Sequence, residues 1–489
     1  MSEKQRKKQY ITTTLPYANA APHIGFAMEI IRADTLARYK KLSGYEVFFN
    51  TGTDEHGMKI YEKAKKEGKT PQEYVDDLSL HFRDLQESLG LIEDIHFIRT
   101  SDERHIRAVQ EFWKRVSENG YIYKKTYQAK YCVGCELNKT DSELVDGRCP
   151  DHPDRDLALI DEENYFFRFS AFQDKLLRFY QENPDFVIPS FRFREIKKFV
   201  ERGLQDFSIS RLKEKMPWGI PVPGDEDHVI YVWFDALVNY ISTLGWPEKQ
   251  ENFVSFWEEG NPIQFCGKDN LRQQAAMWQA MLMAAGLSQT RHLIVNGFIT
   301  SGGQKMSKSL GNVIHPLALV EKYGTDALRY YLLRHVNSFE DSDVTFEKFH
   351  EAYQANLVNG LGNLVQRIMK MLVTYNIDIS FLQDREVEER EKVLSFHHRH
   401  MEAFDFMTAM NEIWRLIADL DTFISKTKPF KKIKENRGEA EKDLQYLAGE
   451  LYRLGWNLKA FLPETADKIL VLLEKREFPQ QPLFPRVEY

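Results

Sequence analysis

The stretch from Gln9 to Leu42 constrains this chain more than any other. It opens with a β-branched, aromatic-led strand over 9–14. A turn follows through Leu15-Pro16-Tyr17-Ala18-Asn19 and Pro22-His23-Ile24-Gly25-Phe26, and then apolar residues at helical spacing over 27–42. A second strand at 46–50 runs into Thr51-Gly52-Thr53-Asp54-Glu55-His56-Gly57, with helical patterns at 59–67, 71–89 and 102–119. Strand–helix alternation at this spacing predicts a parallel, doubly wound α/β sheet, whose ligands sit outside the carboxyl ends of its strands. That places Leu15, Tyr17, His23 and Asp54 around one crevice. A histidine and a glycine at a helix start also suit a phosphate, because free backbone N–H groups and the helix dipole favour an anion there. A plain helix cap accounts for the same two residues.

The alternation breaks near Gly120, where an aromatic- and proline-rich insertion runs to about Asp227. It contains Cys132-Val133-Gly134-Cys135 and Cys149-Pro150-Asp151-His152. Three thiolates and an imidazole in two tight knuckles are the ligand set of a structural zinc site. Four protein ligands leave no open position for chemistry. The competing reading is free cysteines in a loop. The sheet is expected to resume over 228–234, 262–266 and 292–298, with helices at 236–243 and 270–285. Cys266, alone on a strand, reads as a core residue. A glycine turn at 300–304 delivers Lys305-Met306-Ser307-Lys308-Ser309, and from about Glu347 the chain reads as helical over 349–375, 386–425 and 439–461. The expected units are therefore 1–119, 120–227, 228–300, 301–348 and 349–489.

A chain of 489 residues exceeds one ordinary domain, and 43% apolar with 28% charged residues fits a soluble protein with several cores. No run of ~18 apolar residues predicts a membrane span. Met1 to Gln9 is basic but lacks the apolar segment of a secretory signal. Four cysteines, three of them clustered, argue for a reducing compartment, hence the cytoplasm. The formal charge of −7 does not announce a nucleic-acid partner, although the run from Lys426 to Lys434 is densely basic.

Read together, these motifs resemble those of the methionyl-tRNA synthetase family of class I aminoacyl-tRNA synthetases. They are the 15–19 and 51–57 stretches, the knuckles, Asp206-Phe207-Ser208-Ile209-Ser210-Arg211, Trp218-Gly219-Ile220-Pro221, Tyr231-Val232-Trp233-Phe234-Asp235-Ala236, Gly267-Lys268-Asp269 and the 305–309 loop. The resemblance implies a Rossmann-type parallel sheet, a zinc-containing connective insertion and a C-terminal α-helical anticodon-binding bundle. It also implies ligation of L-methionine to tRNA(Met) through methionyl-adenylate, with ATP, Mg2+ accompanying the ATP, and one structural Zn2+. His23, Lys305 and Lys308 would be catalytic. Gly25, Lys268, Asp269 and Ser307 would join them around ATP. Asp54 would take the methionine ammonium, with Leu15, Tyr17, Trp233, Ala236, Tyr240 and Gln274 around the side chain. Asn359, Asn363, Arg367 and Phe430 would read the anticodon, the first three recurring at i, i+4, i+8. A monomer is expected.

Phe430 stands where the family commonly has a tryptophan. Two further positions depart from the family pattern: Phe26 and Gln274 each stand where a histidine is usual. They motivate two competing readings, a tRNA-binding paralogue impaired in adenylation and a class I synthetase with an altered amino-acid pocket.

Overall fold

The computed structural model describes residues 7–18, 22–135, 137–139, 144–306, 312–383 and 385–488. At its centre lies a six-stranded sheet of β1 (Lys8–Thr13), β2 (Glu46–Thr53), β3 (His96–Arg99), β4 (Val187–Ile188), β5 (Ile263–Gly267) and β6 (His292–Asn296). The spatial order is β3-β2-β1-β5-β6-β4, and every pairing is parallel. Tyr10 to Thr13 of β1 are 0% exposed, as expected of a central parallel strand covered on both faces. The chain leaves β1 toward β2 on one side and returns as β5 on the other, so the strand order reverses at β1. The crevice at its carboxyl end is where such sheets bind ligands. Pairing continues past the strands here, with Thr14 N donating to Phe265 O at 3.1 Å.

The helix after β1, α1 (Ile24–Leu42), is buried along nearly its whole circumference. One side packs on the sheet, and the other meets the C-terminal helices in a single continuous core. Most charged groups on α1 are therefore buried, and each is partnered. Arg32 donates to Asn296 Oδ1 at 2.8 Å and to the carbonyls of Val336, Asn337 and Ser338. Asp34 pairs with Arg329 at 2.7 Å and Arg38 at 2.8 Å. Removing one partner of such a buried pair costs about 3–5 kcal/mol. The helix that begins at the crevice is thus riveted at mid-length to the elements that carry the bundle.

The insertion is a four-stranded antiparallel sheet of Leu137–Lys139, Ile122–Cys132, Ala158–Phe167 and Phe207–Ser208. Four features differ from the expectation. β3 lies where only helices and loops were read, and β4, from inside the 120–227 stretch, forms an edge of the central sheet; strands of four and two residues are too short for a periodic signal. The 228–234 run does not rejoin the central sheet. Asp225–Ile230 pairs antiparallel with Ser210–Leu212 and Pro221–Val222, and Val232–Ala236 is helical. The 386–425 run is two helices, Glu386–Glu402 and Phe406–Thr427, parted at Phe404, whose φ is +56°.

Candidate active site

His23 stands just before α1 and caps it: its Nδ1 accepts the Gly25 N–H at 3.1 Å. An accepting Nδ1 leaves the proton of the neutral ring on Nε2, so the exposed edge of the imidazole is a donor. Crowding in the crevice lowers its pKa below the ordinary imidazole value, with Asp269 opposing and His315 adding to the shift. The spacing of histidine and glycine has a steric cause, because a Cβ at Gly25 would lie 2.9 Å from the His23 ring. Phe26, the next residue, turns away from the crevice and meets Phe82 edge-on.

On the opposite side, β5 ends in Gly267-Lys268-Asp269. A Cβ at Gly267 would lie 2.6 Å from Asp269 Oδ1, so the carboxylate folds back over the glycine. Lys268 is held by both oxygens of Asp341, at 2.9 and 2.6 Å. The hairpin that leads to the 305–309 loop pairs Thr300 with Lys305. Asp343 fixes it by accepting from Gly303 N at 2.7 Å and Thr300 Oγ1 at 3.2 Å. The side chain of Lys305, and Ser307 and Lys308 entirely, lie outside the described residues.

The residues expected around an amino acid lie at the junction of β1, β2 and the 232–242 helices. Leu15 and Tyr17 extend β1 alongside Asp54: Tyr17 bridges Asp54, Asp54 N donates to Pro16 O at 3.0 Å, and Ala18 N donates to Asp54 O at 2.8 Å. The glycine near the end of β2 is obligatory, since a Cβ at Gly52 would overlap the Ile98 carbonyl on β3. Trp233 is half-buried, whereas Ala236, Tyr240 and Gln274 are buried. Tyr240 is anchored through its carbonyl by the Tyr10 hydroxyl at 2.8 Å. Gln274 Nε2 donates to the Tyr240 hydroxyl at 2.5 Å, and Gln264 Nε2 lies 3.4 Å from Gln274 Oε1. Thr290 in turn donates to Gln264. These bonds orient the Gln274 amide, and burial pushes the Tyr240 phenol up.

The knuckles come together as well. Cys132, Cys135, Cys149 and His152 present ligand atoms that all lie within 4.8 Å of one another. Cys135 Sγ is 3.3 Å from both Cys149 Sγ and His152 Nδ1, and Cys132 Sγ is 3.8 Å from His152 Nδ1. Edges of this length fit a tetrahedron around an ion with metal–sulfur bonds of about 2.3 Å. A Cβ at Gly134 would strike the His152 ring, so the residue just before Cys135 must be glycine. The cluster can hold a metal ion.

In the bundle, Asn359 and Asn363 are exposed and Arg367 half-buried, flanked by the buried Leu357, Leu361, Leu364 and Ile368. Asn359 sits in a wide π-helical turn, Tyr353–Gly362, that passes directly into the α-helix Asn363–Thr374. Arg367 Nη1 pairs with Asp421 at 2.6 Å. Phe430, 40% exposed, is on the short helix Pro429–Lys432 that follows the left-handed Lys428.

Several residues at the site carried no role in the sequence reading. Asp341 and Asp343 hold Lys268 and the hairpin before Lys305, and neither lies in a motif. Glu29 is buried beneath Thr14 N, which donates to it at 2.8 Å, and burial raises its carboxyl to about 7. His56 and Asp235 did stand inside quoted motifs, which was the available signal; His105, on a helix, gave none.

The chain's likenesses agree with this geometry. A family profile described as tRNA synthetases class I (M) matches residues 9–158 and 153–369. The methionine–tRNA ligase of Thermotoga maritima is 39% identical over 491 residues, covering 97% of this chain and 76% of the relative. That of Brucella suis is 39% identical over 511 residues, covering 98% of each. Among solved structures, Mycobacterium tuberculosis methionyl-tRNA synthetase in complex with methionyl-adenylate superposes with a TM-score of 0.89 at 36% identity, over 98% of this chain and 100% of that one. Its apo form gives 0.83 at 32% identity, over 100% of each. With the family profile spanning most of the chain and full-length relatives well above 30% identity, the chain belongs to the methionyl-tRNA synthetase family of class I aminoacyl-tRNA synthetases.

Proposed function

We propose that this protein is a methionine–tRNA ligase, which activates methionine with ATP to methionyl-adenylate and pyrophosphate and then transfers the methionyl group to tRNA(Met). The observation that carries this is the convergence of two half-sites at the β1 carboxyl end. One, built on His23, Gly25 and Asp269, suits a nucleotide. The other, built on Asp54, Trp233, Ala236, Tyr240 and Gln274, suits an amino acid with a polarisable apolar side chain.

Activation is an in-line attack of the methionine carboxylate on the α-phosphorus, so the protein contributes positioning and charge stabilisation. His23 donates from Nε2 to a phosphate oxygen, and Gly25 lets the chain come close. Asp269 accepts from the ribose, Lys268 adds positive charge beside it, and Lys305, Ser307 and Lys308 engage the pyrophosphate side. Mg2+ would enter with ATP as part of the substrate and offset phosphate charge. Asp54 accepts from the ammonium, Leu15 contributes backbone contact, and Tyr17 with the slot residues surrounds the thioether, for which aromatic faces are favourable neighbours. Cys132, Cys135, Cys149 and His152 would hold Zn2+, which would cross-link the insertion.

We assign adenylation to residues 1–119 and 228–300 with the 301–348 segment, metal binding to 120–227, and anticodon reading to 349–489 through Asn359, Asn363, Arg367 and Phe430. Three thiols in a metal cluster suit the reducing cytoplasm. Among the described residues no helix is long and apolar enough to cross a membrane. A monomer is the proposed active unit.

Methionine-dependent exchange between pyrophosphate and ATP tests the reading. Exchange with methionine, followed by charging of tRNA(Met), is expected; no exchange from metal-loaded protein would favour the adenylation-impaired reading, and exchange with another amino acid the altered-pocket one.

A further inference from the structure

Beside the amino-acid slot, one buried carboxylate joins two histidines from distant parts of the chain. His56 Nδ1 lies 2.7 Å from Asp235 Oδ2, and His105 Nε2 lies 2.8 Å from Asp235 Oδ1. His105 Nδ1 in turn lies 2.8 Å from Ser242 Oγ. Asp235, His105 and Ser242 are 0% exposed and His56 is 3% exposed. Burial alone would push the Asp235 carboxyl up, but the His56 and His105 imidazoles outweigh it and hold the group below the usual carboxylate range. The carboxylate is an acceptor at both oxygens, so His56 donates from Nδ1 and His105 from Nε2, leaving His105 Nδ1 to accept from Ser242. Serine, histidine and aspartate stand here in the order of a nucleophilic triad. Complete burial keeps any substrate from the hydroxyl, so the set is not a second catalytic centre.

Its value lies in what it connects. His56 is two residues beyond Asp54 in the loop after β2. Asp235 stands between Trp233 and Ala236. His105 belongs to the helix Glu103–Glu118, behind both. The loop is fixed on its other flanks by Asp54 N to Pro16 O at 3.0 Å, Glu55 to Arg99 at 2.8 Å and Gly57 N to Trp218 O at 3.2 Å. The His56–Asp235 bond ties it to the helix that carries the slot.

We propose that Asp235 is a positioning residue for methionine: braced by His105, it sets the distance between Asp54, which meets the ammonium group, and Trp233 with Ala236, which enclose the thioether. The proposal rests on the methionine reading given above. Groups that hold binding residues by a second layer of hydrogen bonds are needed for such precision, and a shift of about 1 Å in a bound group costs on the order of a hundredfold in rate.

The test uses the full-length, metal-loaded chain in pyrophosphate exchange with separate titrations of methionine and ATP. Asp235→Asn keeps the shape but turns an amide N–H2 toward one imidazole donor. It is expected to raise the methionine KM about tenfold or more while the ATP KM stays within about twofold. His56→Ala should do the same. His56→Asn, whose amide nitrogen can replace Nδ1 as donor, should stay within about threefold of the wild type. If Asp235→Asn fails to fold, the two His56 variants decide alone. An unchanged methionine KM in Asp235→Asn and His56→Ala, an ATP KM rising in step, or His56→Asn behaving like His56→Ala would overturn the proposal. Absence of methionine-dependent exchange in the wild-type chain would instead remove the reading beneath it.

Discussion

The Phe26 ring meets the Phe82 ring edge-on, 5.6 Å between centroids, so the side chain that follows the His23–Gly25 cap packs α1 against the helix Pro71–Ser88 and joins the central core. At this position the family pattern offers a histidine. Here the side chain contributes apolar contact, and the site is built around that contact. Restoring the histidine should therefore not repair anything. Phe26→His is expected to lose about 1–3 kcal/mol of stability by placing a polar ring in apolar packing and to leave the exchange rate equal or lower. Thermal unfolding and exchange kinetics check both parts; a large gain in rate would show that the phenylalanine is a handicap.

Metal binding depends on two different properties of the knuckles, ligand chemistry and room. Cys132→Ser removes a thiolate and is expected to release the metal and lower the melting temperature. Gly134→Ala leaves all four ligands in place, but its Cβ would lie 2.2 Å from the His152 ring. It should weaken binding through displacement of that imidazole. Elemental analysis after dialysis against a chelator should show metal retained by the wild type and lost from both variants. Retention in Cys132→Ser would exclude this cluster as the metal site.

How much of this was legible in the sequence follows from the range of the forces involved. β1, α1 and β2 announce themselves because burial imposes local periodicity, and the knuckles because metal ligands need fixed spacing. Gly25, Gly52 and Gly134 were visible as letters, but their necessity depends on the His23 ring, the Ile98 carbonyl and the His152 ring, which only folding brings near. β3 and β4 are too short to carry a pattern. The 228–234 run shows the limit most clearly. An apolar stretch buried on all sides looks alike as strand or helix, and Val232–Ala236 turns out helical, with its Asp235 held by His56 and His105 from distant parts of the chain. Asp341 and Asp343 grip Lys268 and Gly303 across 73 and 40 residues, a separation at which one sequence contains no trace of pairing.

Acid should weaken the bundle through His397. Its ring is buried against Phe396 and Phe461, and burial, its largest influence, lowers its pKa to about 4. The unfolded chain, with an ordinary value of about 6.5, therefore takes up the proton first. The contribution of the neutral ring to stability is complete above about pH 6.5 and is lost as the pH falls toward 4, amounting to about 3 kcal/mol at the end. His335, also lowered to about 4 by burial and by Arg334, acts in the same direction. Denaturant midpoints measured from pH 7.5 down to 4 should fall across this window, and less steeply in His397→Leu. An identical slope in the variant would place the acid sensitivity elsewhere.

The pair between Arg367 and Asp421 predicts a separation between tRNA recognition and adenylation. Both side chains are about one-third exposed, at 37% and 36%, so the 2.6 Å bond contributes little stability, about 0–1 kcal/mol. Its effect is to hold one guanidinium nitrogen and present the rest of the planar group in a fixed orientation beside the exposed Asn363, an arrangement suited to hydrogen bonds with unstacked bases. Arg367→Ala removes those donors and should raise the tRNA(Met) KM in charging by about tenfold or more, the equivalent of about 1.4 kcal/mol. Asp421→Ala leaves the donors but frees their orientation, so a smaller increase is expected. Pyrophosphate exchange, which involves no tRNA, should be unchanged in both variants, as should the unfolding temperature. A tRNA KM unaffected by Arg367→Ala would move anticodon reading to another face of the bundle. A matching loss of exchange would show that Arg367 acts through the fold rather than on the RNA.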